Sequence, residues 1–256
     1  MKKNILVLAI ILAVLFLIEQ RASAYSIAWD DGESYAYAEL DDGSGLCDYE
    51  EDDEGNIIAN AIMGISSYSW ASGHAEPFLL ESNSRACGDD ALEDYVSSYS
   101  ESGYYNLFTI EGGAEAEPVR VNFTVNLNGY LSAMADGDDW GSGVYLEMGI
   151  EDEYENELAY FEFEDYLVGY DYDRQIISQL LNIGFDGFVG EEYYFGFHLE
   201  SDAYSEGYSV ANSSFFAYLE DEQVSPVPEP ATMMLLGSLA TGLFGFAGFK
   251  RRFSKR

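Results

Sequence analysis

Basic residues are almost absent from the central part of the chain. Between residues 25 and 224 there is no lysine, and arginine occurs only at Arg85, Arg120 and Arg174. Nucleic-acid-binding proteins concentrate Lys and Arg on the surface that meets the phosphates, so we expect no nucleic-acid partner for this segment. Binding to anionic lipid headgroups is disfavoured for the same reason.

Histidine is scarce, with only His74 and His198 in the chain, and the common catalytic motifs are missing. No Gly-x-Ser-x-Gly elbow and no His-Glu-x-x-His pair occurs, which leaves no familiar nucleophile or zinc-protease site. Paired carboxylates could hydrolyse glycosides, but carboxylates are so abundant here that close pairs are expected from composition alone. We therefore predict that the protein is not an enzyme.

Acidic residues dominate the same segment. Of the 47 Asp and Glu in the chain, 45 lie between residues 25 and 224, against three arginines, which gives a formal charge of −42. Repulsion on this scale opposes a compact state, so we expect folding to be favoured where salt or divalent cations screen the charge. Calcium is the candidate ion. The segment also holds all 21 tyrosines, whereas disordered acidic tails lack aromatic residues, so it is predicted to fold.

Residues 1–24 have the organisation of a secretory signal peptide. Lys2 and Lys3 precede an unbroken apolar run over residues 5–18. The small residues Ala22 and Ala24 then form a signal peptidase site, with the mature chain expected to begin at residue 25. An uncleaved N-terminal anchor is the alternative.

The C-terminal segment contains a second apolar run, over residues 231–249, which is long enough for a helix to cross the hydrocarbon core of a membrane. A basic cluster follows at residues 250–256 and predicts that this end stays in the cytoplasm while residues before 231 lie outside it. The two signals agree on one topology, with an ectodomain over residues 25–224.

Two cysteines, Cys47 and Cys87, lie in that ectodomain. Export places them in an oxidising compartment, and we predict a structural disulfide between them. It would close a loop of about 41 residues and contribute roughly 4 kcal/mol to stability by the chain-entropy estimate. Two separate thiols are the alternative.

The ectodomain is predicted to be mainly β. Apolar and polar residues alternate with a period of two over residues 119–128, 144–150, 159–164, 193–200 and 211–219, which is typical of half-buried strands. We predict an antiparallel β-sandwich or jelly roll. Residues 174–181 fit either a short helix or a strand, residues 48–54 are expected to be a solvated loop, and a turn is expected at Asn128 and Gly129.

Two kinds of binding site are candidates. Asp136, Asp138 and Glu147 follow most of the spacing of a calcium-binding loop, but Trp140 replaces an oxygen ligand at its fifth position, and an acidic hairpin turn is the default interpretation. The three tryptophans could instead stack on sugar rings, although packing inside the fold is the commoner fate of such residues. They are Trp29, Trp70 and Trp140.

The residues before the C-terminal apolar run carry a specific pattern, Val227, Pro228, Glu229 and Pro230. With the apolar segment and basic cluster that follow, residues 225–256 resemble the PEP-CTERM sorting signal of Gram-negative bacteria that make extracellular polysaccharide. The resemblance implies transient anchoring in the inner membrane and processing by an exosortase near the Pro-Glu-Pro motif. An ordinary single-pass membrane anchor is the alternative.

The ectodomain more loosely resembles β-sandwich ectodomains that accompany this signal, through residues 118–129 and 189–199. That resemblance implies a surface or biofilm-matrix component. We therefore predict an exported, exosortase-processed protein of the cell surface or exopolysaccharide matrix, without catalytic activity. A carbohydrate-binding β-sandwich module at the cell surface is the alternative.

Overall fold

A computed structural model describes residues 25–41, 46–55, 59–64, 69–87, 96–134, 141–168, 173–205 and 209–227, with the backbone alone for residues 31, 46–55 and 59–64. These residues form twelve strands and no helix. In this part of the chain no helix is long and apolar enough to cross a membrane. The predicted signal peptide and the apolar run at 231–249 lie outside it.

The strands form two six-stranded sheets in which every neighbouring pair is antiparallel. Sheet A contains, in spatial order, β2 (Leu46–Gly55), β1 (Ser26–Asp41), β6 (Val96–Glu111), β11 (Glu192–Ser205), β8 (Gly141–Asp152) and β9 (Glu157–Val168). Sheet B contains β10 (Asp173–Phe188), β7 (Pro118–Met134), β12 (Val210–Pro226), β5 (Leu79–Cys87), β4 (Trp70–Glu76) and β3 (Ala59–Gly64). The prediction of a mainly β, antiparallel sandwich is confirmed.

The chain passes repeatedly between the two sheets. Strands β5 to β12 lie alternately in sheet B and sheet A, except that β8 and β9 form a hairpin within sheet A. Eight strands connected in this way have the alternation of a jelly roll. The first four strands extend both sheets on the same side, β1 and β2 beyond β6, and β3 and β4 beyond β5.

The space between the sheets is filled in two different ways. Large apolar side chains form the main core. Removal of their apolar surface from water is the principal force that holds the sheets together. Among the largest fully buried residues are Phe108, Phe123, Phe195, Phe197 and Phe215.

A second region of the interior is built from alanine and serine. Ser82, Ser84, Ser100 and Ser201 are fully or almost fully buried, and their hydroxyl groups form one hydrogen-bonded network between the sheets. Oγ of Ser100 lies 2.9 Å from Oγ of Ser201, and Oγ of Ser84 donates to the carbonyl of Ser201 at 2.7 Å. These small side chains satisfy one another's polar groups away from water.

Residues 174–181, which fit either a short helix or a strand, belong to strand β10. Two local predictions need correction. Residues 48–54, expected to be a loop, lie in strand β2, because β1 offers an edge with which this backbone pairs. Gly129 is not in a turn but within β7, where its missing side chain leaves room for the ring of Phe215.

Candidate functional site

Charge is divided unequally between the two sheets. The six strands of sheet A contain 23 Asp and Glu and no Lys or Arg. The strands of sheet B contain seven acidic residues and all three arginines of the segment, Arg85, Arg120 and Arg174. The acidic character seen in the sequence is therefore concentrated on one side of the sandwich.

The outer face of sheet A is made of tyrosine, glutamate and glycine. Successive side chains on a strand point to opposite faces of the sheet. In β1, β6, β11, β8 and β9 the small and apolar residues therefore point inward, and the tyrosines and carboxylates point outward. The outward tyrosines are Tyr35, Tyr37, Tyr99, Tyr105, Tyr145, Tyr160, Tyr166, Tyr194 and Tyr204. The outward acids include Glu33, Glu39, Glu101, Glu147, Glu151, Glu162, Glu164, Glu200 and Asp202.

A histidine lies between two carboxylates near the middle of this face. Nε2 of His198 is 3.2 Å from Oε1 of Glu101 and 3.3 Å from Oε1 of Glu200. All three side chains are largely buried, with exposed fractions of 15%, 23% and 29%. Nε2 is shielded from solvent, and these two carboxylate oxygens are its polar neighbours.

Tyrosine hydroxyls support this cluster. The hydroxyl of Tyr99 donates to Oε2 of Glu101 at 2.9 Å, and Tyr35 also hydrogen-bonds to Glu101. Burial raises the pKa of the Glu101 carboxyl, but the interactions with His198 and these hydroxyls outweigh it, so the net pKa is lowered. Burial raises the pKa of Glu200, with partial compensation from His198. Burial and nearby Glu101 raise the pKa of both tyrosines, which therefore remain hydrogen-bond donors.

Beside the cluster, the face forms a groove of about 200 Å³. Tyr105 and Tyr194 stand in it with 47% and 46% of their surface exposed, and Gly149 and Gly196 leave its floor without side chains. The ring of Tyr105 lies against Gly196, and the nearly parallel ring of Tyr35 lies against Gly103, with 6.0 Å between the ring centroids. The groove thus offers flat aromatic surface with carboxylates around it.

A second groove lies further along the same face, beside Gly143 and Tyr166. Asp202 is directed into it, and burial raises the pKa of its carboxyl to about 6. Nearby Glu200 acts in the same direction. This groove therefore contains a carboxyl group that takes up a proton more readily than an ordinary aspartate.

The predicted calcium loop is only partly described. Asp136 and Asp138 lie outside the described residues, so the ligand set remains a prediction. Glu147 belongs to the outer face of sheet A, opposite His198 in the strand register. Its Oε2 accepts a hydrogen bond from the hydroxyl of Tyr145 at 3.1 Å.

The tryptophans occupy different surroundings. Trp29 packs against the rings of Phe78, Phe108, Phe123 and Phe195, and its indole N–H donates to Oε2 of Glu222 at 2.8 Å. These contacts give Trp29 a packing role in the fold. Trp70 begins β4 and Trp140 lies outside the described residues, and sugar stacking by the three remains a prediction.

The cysteine prediction also stays open. Cys87 ends β5 in sheet B, and Cys47 lies in β2 of sheet A, where only the backbone is described. The signal peptidase residues Ala22 and Ala24 lie outside the described chain.

Sequence reasoning did not find the His198 cluster. It could not pair His198 with Glu101, which is 97 positions away in the chain. The register of β6 and β11 brings Glu101 directly opposite Glu200. A usable signal was present in the spacing of His198 and Glu200, because residues two apart on a strand share one face.

The last described residue, Val227, donates its backbone N–H to the carbonyl of Pro118 at 3.2 Å, while Pro228, Glu229 and Pro230 lie beyond it. Residues 226–252 match the PEP-CTERM protein-sorting motif. The chain carries a PEP-CTERM sorting signal. This signal implies export, sorting to the cell surface and processing by an exosortase. The motif follows directly from β12, so the sandwich and the PEP-CTERM signal adjoin.

No curated protein matches the chain. Among solved structures, it is similar to a carbohydrate-binding module in complex with β-1,4-galactotriose, at 13% identity over 82% of this chain and 94% of that one, with a TM-score of 0.21. An arabinose-bound α-L-arabinofuranosidase matches at 12% identity over 62% of this chain and 23% of that one, with a TM-score of 0.19. The active domain of bacteriophage CBA120 tailspike protein 4 matches at 9% identity, 60% and 20% coverage and a TM-score of 0.18. With TM-scores this low, these similarities carry no argument about this PEP-CTERM protein.

Proposed function

We propose that this PEP-CTERM protein is a non-enzymatic component of the cell surface or extracellular polysaccharide matrix of a Gram-negative bacterium. An exosortase would act at Pro228, Glu229 and Pro230 after transient anchoring in the inner membrane. The sandwich would then hold divalent cations on the outer face of sheet A and link hydrated, acidic polymers through them.

The unequal charge of the two sheets is the observation that supports this proposal. A surface with many carboxylates and no Lys or Arg has no internal counter-charge, so mobile cations must supply it. Calcium and magnesium bind oxygen ligands, and carboxylates and water are their usual partners. Binding of this kind is spread over the surface and needs no single preformed loop.

Calcium titration of the full-length chain in detergent micelles, followed by thermal unfolding at fixed ionic strength, tests the proposal. We expect a gradual rise in the unfolding temperature that magnesium reproduces and that high sodium reduces. No change in the unfolding temperature with either ion would contradict it. Saturation at micromolar calcium without a magnesium effect would instead favour the predicted loop of Asp136, Asp138 and Glu147.

A second candidate function is glycan binding in the groove beside His198. The two half-exposed rings of Tyr105 and Tyr194 support it, because flat aromatic faces pack against sugar rings and neighbouring carboxylates accept hydrogen bonds from hydroxyl groups. Titration with soluble oligosaccharides should give a saturable signal that Tyr194→Ala removes. Tyr154→Ala serves as the control, since Tyr154 is 74% exposed in the turn that joins β8 and β9. Equal effects of the two variants, or loss on Trp140→Ala alone, would exclude the groove.

A further inference from the structure

We propose that Glu101, His198 and Glu200 form a binding site for one divalent first-row transition-metal ion, with Zn²⁺ as the reference ion. The site lies on the outer face of sheet A, where β6 and β11 are neighbours. It differs from the diffuse cation binding proposed above in having a fixed set of ligands, and it does not depend on that proposal.

The spacing of the ligand atoms fits an ion between them. One oxygen from each glutamate and one imidazole nitrogen all lie within 4.8 Å of one another. Zinc bonds to nitrogen and oxygen are about 2.0–2.1 Å long, which makes the edge of a tetrahedral site about 3.3 Å. The two distances from Nε2 of His198, 3.2 and 3.3 Å, match such an edge.

The charges around the cluster also call for a cation. Glu101 and Glu200 face each other directly across the strand pair, and like charges in this position destabilise a sheet. The strands of sheet A contain no Lys or Arg, which leaves a protonated His198 as their one source of positive charge at this point. One divalent ion balances the two carboxylates, and a neutral imidazole then adds a third ligand without adding charge.

The imidazole decides the class of metal. Calcium and magnesium take oxygen ligands, whereas imidazole is a preferred ligand of zinc, copper, nickel and iron. Nε2 of His198 is buried between the carboxylate oxygens of Glu101 and Glu200, at 3.2 and 3.3 Å. An ion in that position would take the imidazole nitrogen and both oxygens as its ligands.

The surroundings hold the ligands in place. The hydroxyl groups of Tyr99 and Tyr35 fix the Glu101 carboxylate, as outer partners do for ligands in known metal sites. Directly beneath the site, the buried hydroxyls of Ser100 and Ser201 lie 2.9 Å apart and tie the two ligand-bearing strands to each other. Ligands on rigid strands suffer less loss of freedom on binding than ligands on loops.

Isothermal titration with zinc tests the proposal. The sample is the metal-free, full-length chain in detergent micelles, at fixed ionic strength and with excess calcium present. We expect one saturable zinc site per chain, and an affinity at least about tenfold lower in His198→Gln. His74→Gln is the matched control, because His74 lies in sheet B with Glu76 3.0 Å from its Nε2. Equal loss in the two variants, or zinc binding that calcium displaces completely, would overturn the site.

A measurement on the unaltered protein guards against a variant that fails to fold. The chain has only two histidines, so ring labelling gives two Hε1 signals by nuclear magnetic resonance, which His74→Gln assigns. One equivalent of zinc should shift the His198 signal and leave the His74 signal in place. Shifts of both signals together, or of neither, would refute the metal site while leaving the diffuse binding of calcium untouched.

Discussion

The ring of Tyr105 lies so close to Gly196 on the neighbouring strand that a β-carbon at Gly196 would be 2.6 Å from the ring. Gly149 in β8 pairs with Gly196 in β11, and a β-carbon at Gly149 would have no atom within 4 Å of it. Two paired glycines on one face thus have opposite surroundings. The first makes room for an aromatic ring, and the second leaves the groove floor open.

We expect Gly196→Ala to reduce the free energy of unfolding by about 1–2 kcal/mol, because the Tyr105 ring must move away. Gly149→Ala should change it by less than about 0.5 kcal/mol, since the added methyl group meets nothing within 4 Å. Urea denaturation of both variants measures the difference. Equal losses would show that the ring does not occupy the described position.

Gly129→Ala should destabilise the protein more strongly than Gly196→Ala. A β-carbon at Gly129 would overlap the carbonyl oxygen of Ser214 and the buried ring of Phe215, so strands β7 and β12 must separate to accept it. The expected loss is about 3 kcal/mol, at the upper end for overpacked sites. A loss smaller than that of Gly196→Ala, measured by the same denaturation, would contradict the packing of these strands.

Ser201→Ala should cost about 1–3 kcal/mol, because the buried Ser201 hydroxyl hydrogen-bonds to those of Ser82, Ser84 and Ser100 between the sheets. Ser214→Ala removes a hydroxyl that donates to Asn83 at 2.6 Å on the partly exposed outer side of sheet B, and should cost less. Thermal unfolding compares the two. A larger effect at Ser214 would mean that the serine network is not an important part of the interior.

Alkaline solution should weaken the fold between pH 10 and 12. Burial, helped by Glu191, raises the pKa of Tyr193 from its ordinary 10.0 to about 12, so the unfolded chain loses this proton first and stability falls as the pH rises through that window. Tyr193→Phe removes the titrating group. The variant should be less stable below pH 10, having lost hydrogen bonds with Phe188 and Glu191, but its stability should decline less steeply. Parallel declines in urea titrations would contradict the assignment.

Strands with an apolar face could be predicted from the sequence. In β7 and β8, alternating Val, Leu, Met and Ile identify both the strand and the side that meets the core, because burial of such residues drives the packing. The serine-rich part of β6 could not be read in this way. There the inward residues are Ser98, Ser100 and Ser102, while the larger Tyr99 and Tyr105 point outward.

The inward serines and outward tyrosines of β6 also explain why the cluster around His198 could not be predicted from the sequence. Its partner Glu101 lies between two buried serines, where polarity gives no indication of which face is outside. Only the pairing of β6 with β11 brings Glu101 together with His198 and Glu200. Pairing of distant strands depends on the whole sandwich, so no local pattern contains it.

The strand residues of sheet A carry a net charge of −23 and those of sheet B a net charge of −4, and the two sheets lie back to back. Such a body has a permanent electric dipole across its thickness. Beside a negatively charged layer it would turn sheet B, with its arginines, inward and sheet A outward. Neighbouring molecules would then share one orientation, and two such layers could meet only with a film of counter-ions between them.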